Sequence, residues 1–173
     1  MILAIDPGST GLGPACAYFN DDGKLAHVCF SFRPGGAGLT DIVVEQWQFR
    51  GQQDVPVASR MIKMLTAGLL AAGHALGQAE PDANLHLYTP KEWKGEEPKP
   101  MHHDRMWCKL DAAERRVLGG DRTYAVIRAA VREGALTRWG RRGVDYYPKN
   151  FDTHNLLDAA ALGCFQLGRL GKR

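Results

Sequence analysis

Apolar and polar residues follow two regimes along the chain. In the first third the apolar stretches are short and cut by turn residues; from about residue 56 they recur at helical spacing. Ile2-Leu3-Ala4-Ile5 runs into Asp6 and then into Pro7-Gly8-Ser9-Thr10-Gly11-Leu12-Gly13. This predicts a buried strand over 2–6 that ends on a carboxylate and gives way to a tight turn. Strands over 14–19 and 25–32 follow, joined at Asn20-Asp21-Asp22-Gly23. Three consecutive antiparallel strands are therefore expected to open the fold. A Gly-rich stretch over 33–38 leads to a further strand over 41–49, where Ile42, Val43, Val44, Trp47 and Phe49 favour extended backbone.

Beyond this the period changes. Pro56 stands where a first helical turn tolerates it, and Met61, Leu65, Leu69 and Ala72 recur at i, i+4, i+8 and i+11, predicting a helix over 56–79. A strand over 85–89 and a loop over 90–100, rich in Lys, Glu and Pro, come next. Helical patterns cover 102–118 and 121–133, with Asp121 as N-cap, and a basic, aromatic loop covers 138–149. A last helix runs over 153–169, capped by Asp152 or Thr153. With no repeat, low-complexity tract or linker, residues 1–173 read as one domain of mixed α/β type.

The 173 residues, 45% hydrophobic and 24% charged, suffice to bury a core and exclude a disordered, collagen-like or fibrous chain. The net charge of +3 hides an uneven distribution. Residues 1–98 hold 7 basic and 11 acidic side chains, whereas 99–173 hold 15 and 8. A basic back half beside an acidic front half fits a polyanionic partner held near a site that needs carboxylates. No apolar run approaches the roughly 18 residues of a membrane helix. Met1–Ile5 is short, ends at Asp6 and lacks a basic lead, so it does not read as a signal peptide, and a cytoplasmic protein is expected. Cys16, Cys29, Cys108 and Cys164 form no C-x-x-C pair, which fits a reduced chain without a zinc ribbon. His102 and His103 read as surface histidines beside a packing thiol, Cys108, because no second Cys/His pair completes a site.

Three acids stand in apolar surroundings. Asp6 closes a buried strand, Glu45 follows Ile-Val-Val, and Asp158 interrupts Leu-Leu-Asp-Ala-Ala-Ala-Leu in the last helix. An unpaired buried carboxylate costs several kcal/mol, so three of them point to a shared cation. Oxygen donors suit Mg2+ or Mn2+. Two such ions are a standard device for hydrolysing a phosphodiester.

Ile5-Asp6-Pro7-Gly8-Ser9-Thr10-Gly11-x-Gly13 resembles the opening strand and turn of RuvC-type Holliday junction resolvases, members of the RNase H-like nuclease superfamily. Val43-Val44-Glu45-Gln46 resembles the family's third strand with its catalytic glutamate, and His154-Asn155-Leu156-Leu157-Asp158-Ala159 its closing helix with the last metal-binding aspartate. Tyr88-Thr89-Pro90-x-x-Trp93-Lys94-Gly95 followed by Pro98-Lys99 resembles the strand-to-helix segment of RuvC-like proteins of bacteriophages. The motifs fall in order along almost the whole chain. The resemblance implies an RNase H-like α/β fold, with helices on both faces of a mixed sheet that begins with three antiparallel strands. It also implies a homodimer that cuts branched DNA, four-way junctions above all, by paired nicks with Mg2+. The chain departs from the family where many members carry two acids on the last helix. Here Asn155 lies three and His154 four residues before Asp158, on its helical face, and either is a candidate to complete the set. Asp152 reads as a cap rather than a ligand.

Other positions carry two readings. Ser9 and Thr10, set among glycines, either let a phosphate approach the backbone or simply form a hairpin turn. Trp47 and Phe49 share a strand face with Glu45 and either stack on bases at an opened branch point or pack in the core or a dimer. Lys91, Lys94, Lys99, Arg105, Lys109, Arg138, Arg141, Arg142 and Lys149 are candidate phosphate contacts, or solvated surface charges. Competing functions are a nuclease of this fold acting on RNA or hybrids, a non-catalytic branched-DNA binder, and a small nucleotide-binding domain of the actin or sugar-kinase kind. The last needs a second similar half and an adenosine motif, and the sequence has neither. A binder freed of chemistry has no need of three buried acids.

Overall fold

A computed structural model of the chain describes residues 1–8, 12–32, 38–46, 55–137 and 146–171, and gives the backbone alone for 55–58, 60, 61 and 135–137. The strand β1 (Ile2–Asp6) is buried from Leu3 through Asp6, on both faces at once, because it lies at the centre of the sheet. It pairs antiparallel with β2 (Ala15–Phe19), which pairs antiparallel with β3 (Leu25–Phe30). On its other side β1 runs parallel to β4 (Asp41–Glu45), and β4 runs parallel to β5 (Asn84–Tyr88), giving the order β3-β2-β1-β4-β5. This is the expected α/β architecture, with three leading antiparallel strands in a mixed sheet and helices on both faces.

Strand periodicity divides the core between the two faces. Leu3, Ile5, Ile42 and Val44 point to one side, where Ala71, Ala72 and Ala75 of α1 (Val55–Leu76) cover them. Ala4, Ala17, Phe19 and Val43 point to the other, under α6 (Thr153–Gln166). α6 is buried from Leu157 to Phe165, as befits a helix apolar all round. Small residues bring it close to the sheet: a Cβ placed on Gly163 would stand 2.1 Å from Cε2 of the buried Phe19 ring.

The helices between β5 and α6 depart from the expected boundaries. The predicted loop over 90–100 begins as a single turn, α2 (Pro90–Trp93), because Thr89 and Glu92 form a reciprocal capping box ahead of it. The predicted helix over 102–118 is two: α3 (Lys99–Trp107) and α4 (Ala112–Val117), separated where Asp111 and Glu114 make a second capping box. α5 (Gly120–Thr137) packs on both, and Asp121 lies inside its first turn instead of capping it. Asp152 occupies the N-cap position of α6, but its side chain makes no capping bond. The extension of the fourth strand over 47–49 and most of the basic loop, 138–145, lie outside the described residues. His102 and His103 are wholly buried and Cys108 is exposed, the reverse of the surface placement expected, because α3 turns both rings into the core beneath α6.

Candidate active site

The pairing Ile5↔Val44 sets the last residues of β1 and β4, Asp6 and Glu45, next to each other at the carboxyl ends of two parallel strands. That edge is where open α/β sheets place their ligands. Both side chains take the same parity as Ala4 and Val43 and so face α6, which carries Asp158. The three carboxylates are 4%, 2% and 3% exposed respectively.

Each is held by a specific donor. Oδ1 of Asp6 accepts the backbone N–H of Gly8 at 2.9 Å, in a turn that requires φ +73° at that glycine. Oε2 of Glu45 accepts the indole Nε1–H of Trp93 at 3.1 Å and meets the Lys94 ammonium at 3.8 Å. That ammonium also lies 4.8 Å from the centre of the Trp93 ring, a cation–π contact. Oδ1 of Asp158 accepts from Nε2 of His103 at 2.9 Å, and its Oδ2 contacts the Lys99 ammonium.

Electrostatics separate the three acids. Burial, and after it the neighbouring Asp158, pushes Asp6 up to about 6. Burial, and after it Asp6, pushes Glu45 up to about 8. Burial acts upward on Asp158 too, but Lys99, Lys94 and His103 outweigh it and hold this carboxyl well below its usual range. Burial pulls Lys94 down, yet Asp158, Glu45 and Asp6 together keep it above the ordinary lysine value. Two ammonium groups thus face three acids: Asp158 is held in its charged form, while burial and mutual repulsion make Asp6 and Glu45 the acids that retain a proton most readily. Among the described residues no group of three His, Cys, Asp or Glu side chains is set to hold a metal ion as it stands; lysines meet the acids instead.

Asn155 is buried against the turn after β1: a Cβ on Gly8 would stand 3.6 Å from its Nδ2. His154 is half-buried, and its Nδ1–H donates to the Phe151 carbonyl at 2.9 Å, which leaves Nε2 as the nitrogen with a lone pair. Lys94 and Lys99, expected to contact phosphate, sit among the carboxylates. Arg105 turns to Glu97 at 3.5 Å and to Nδ1 of His102 at 3.2 Å. Lys91, Lys109 and Lys149 are exposed, while Ser9, Thr10, Trp47, Phe49, Arg138, Arg141 and Arg142 lie outside the described residues.

Trp93, His103 and Tyr147 belong to this site, although the sequence marks Trp93 only as part of the motif over 88–95, reads His103 as a surface histidine and leaves Tyr147 unmarked. His103 shares a stripe with Met106, Trp107 and Leu110, at i, i+3, i+4 and i+7, all of them buried, and that spacing is the signal that places its ring inside. Tyr147 lies near the end of the basic loop, and its hydroxyl lies 2.7 Å from Nδ1 of His103.

No protein-family model and no curated protein sequence matches the chain. Among solved structures it is similar to RuvC of T. thermophilus in complex with a Holliday junction substrate, at 18% identity and a TM-score of 0.39 over 98% of this chain and 96% of that one. It is also similar to a second Thermus thermophilus RuvC structure, at 18% identity and a TM-score of 0.37 over 99% of this chain and 96% of that one.

Proposed function

We propose that the chain is a metal-dependent, structure-selective endonuclease that resolves four-way junctions and other branched DNA by paired, symmetric nicks. One observation carries this reading: Asp6, Glu45 and Asp158, 39 and 113 residues apart, converge as buried carboxyl groups at one edge of the sheet, where Asp6 and Glu45 disfavour one another's charge in the absence of a cation. Three carboxyl groups offering oxygen donors fit Mg2+, or Mn2+ in its place. Asp6, Glu45 and Asp158 would hold it, with Asn155 or Nε2 of His154 completing the set. Bound there, the ions would supply water activation and leaving-oxygen stabilisation at the scissile phosphate, leaving 5′-phosphate and 3′-hydroxyl ends.

The chain's own groups do the rest. Trp93 and His103 each fix one oxygen of a carboxylate, so that the acids do not turn toward one another. Lys94 and Lys99, with side chains 22% and 23% exposed, reach the surface from the cluster and are placed to meet the phosphate backbone. Tyr88-Thr89-Pro90-x-x-Trp93-Lys94-Gly95, the segment that resembles phage RuvC-like proteins, supplies two of these groups, which favours that branch of the family. Symmetric cutting of two strands calls for two sites on one face of a two-fold dimer. Ile62, Leu69 and Leu70 on α1 and Leu85 and Leu87 on β5 are exposed and offer apolar surface for a second copy.

The test is nicking of a synthetic mobile four-way junction, mapped on all four strands with and without Mg2+, beside flap, RNA–DNA hybrid and duplex substrates. Paired, Mg2+-dependent cuts on opposite strands of the junction are expected. Preferential cutting of the hybrid would support the RNA-directed alternative, and binding without any cutting would support a non-catalytic branch binder.

A further inference from the structure

Lys99 and His103 stand one helical turn apart on α3 and take opposite oxygens of the same carboxylate: Lys99 meets Oδ2 of Asp158, and His103 meets Oδ1. The two grips differ in kind. The Lys99 side chain is 23% exposed, on a flexible stem, and its ammonium can exchange its partner for water or phosphate. His103 is wholly buried, both of its ring nitrogens are engaged, and its ring stacks on Tyr147 with centroids 5.7 Å apart and planes 15° apart.

We propose that His103 is a positioning residue that holds Asp158 by one oxygen and so reserves the other, Oδ2, for a divalent ion, with Tyr147 keeping the ring's proton on the nitrogen that faces the acid. This rests on the reading of Asp158 as a metal ligand. The hydrogen-bond inventory fixes the direction of the chain. An ionised carboxylate only accepts, so Nε2 of His103 carries the hydrogen it donates to Asp158. Nδ1 then presents a lone pair, and the Tyr147 hydroxyl donates to it. Tyr147, near the end of the basic loop, and His103, in α3, thereby lock a side chain of α6 that lies 55 residues beyond His103. Hydrogen-bonded partners behind a ligating group are the usual means of fixing its orientation, and their loss weakens metal binding about 10- to 100-fold.

The experiment is titration of the full-length chain with Mn2+ alone, followed by calorimetry or by the spin resonance of the free ion, on the wild type and on His103→Ala, His103→Gln and Tyr147→Phe. Each is accompanied by a thermal melt that confirms folding. His103→Ala should raise the Mn2+ Kd about 10- to 100-fold. His103→Gln, whose amide N–H reaches toward the same oxygen, should restore most of that loss, and Tyr147→Phe should fall between. A purely structural histidine would lower the melting temperature and leave the Kd of the folded protein unchanged, which would overturn the proposal. If His103→Ala does not fold, Tyr147→Phe decides: a Kd within about twofold of wild type overturns the proposal, and a larger increase, toward the range seen for lost supporting bonds, upholds it. A folded wild type that binds no Mn2+ at millimolar concentration would instead remove the metallonuclease reading, and this proposal with it.

Discussion

The indole Nε1 of Trp93 donates to Oε2 of Glu45 across 3.1 Å, joining a one-turn helix to the end of a strand 48 residues away. Trp93 is 3% exposed, and its ring meets His102 edge-on with centroids 5.0 Å apart. The bond thus orients the carboxylate from inside the core. Trp93→Phe keeps most of the packing and removes the donor. We expect a stability loss of about 1–3 kcal/mol from the unmet buried acceptor, and slower single-turnover nicking with junction binding unchanged. A nicking rate equal to wild type in the folded variant would reduce Trp93 to a packing residue.

The acids also set a pH dependence. Asp6 and Glu45 have folded values of about 6 and about 8 against ordinary values of 3.8 and 4.5, so the folded chain binds more protons than the unfolded one between these limits. Their contribution is complete at low pH and is lost as pH rises through about 6 and then about 8. Asp158 works oppositely: held low by Lys99, Lys94 and His103 against its burial, it stabilises above its ordinary 3.8 and loses that contribution only in stronger acid. In chelator, stability should therefore be greatest in mild acid and fall toward pH 9. Glu45→Gln should be more stable than wild type at pH 9, by about 1–3 kcal/mol after allowance for its coupling to Asp6. Excess Mg2+ should flatten the wild-type decline. Urea melts from pH 5 to 9 with and without Mg2+ check this, and a wild-type profile that rises with pH would contradict it.

α6 carries Asp158 into the site only because it lies close on β2. Gly163→Ala would drive a methyl group to 2.1 Å from the Phe19 ring, which is fully buried and has nowhere to move. A cost of about 2–3 kcal/mol is expected from the forced shift of the helix, together with weaker cleavage as Asp158 moves with it. Unaltered urea melts would show that the helix does not rest on Phe19.

The three carboxylates were legible in the sequence because an acid inside an apolar run has few bland explanations. Asp6, Glu45 and Asp158 each broke a hydrophobic pattern, and the strand parity that turns Asp6 and Glu45 to one face follows from those same runs. The supporting groups were harder to read. Between residues 90 and 100, abundant Lys, Glu and Pro masked the Thr89-x-x-Glu92 capping box that builds the turn holding Trp93 and Lys94. The break between α3 and α4 depends on a second box, Asp111-x-x-Glu114, which a helical apolar pattern running through 102–118 conceals. The lack of a second Cys/His pair makes His103 read as surface, whereas its stripe with Met106, Trp107 and Leu110 places it inside. The Tyr147–His103–Asp158 chain joins residues 44 and 55 positions apart, a tertiary relation that no local pattern encodes.

The most direct measurement is single-turnover nicking of a mobile four-way junction in Mg2+ by purified wild type and Asp6→Asn, each at a concentration shown by gel shift to saturate the junction. Asn keeps the size of the side chain and an oxygen to accept the Gly8 N–H but removes the charge. The expected result is binding close to wild type with cleavage reduced to background. Undiminished nicking by the pure variant would contradict the assignment of Asp6, Glu45 and Asp158 as the shared seat of a divalent ion.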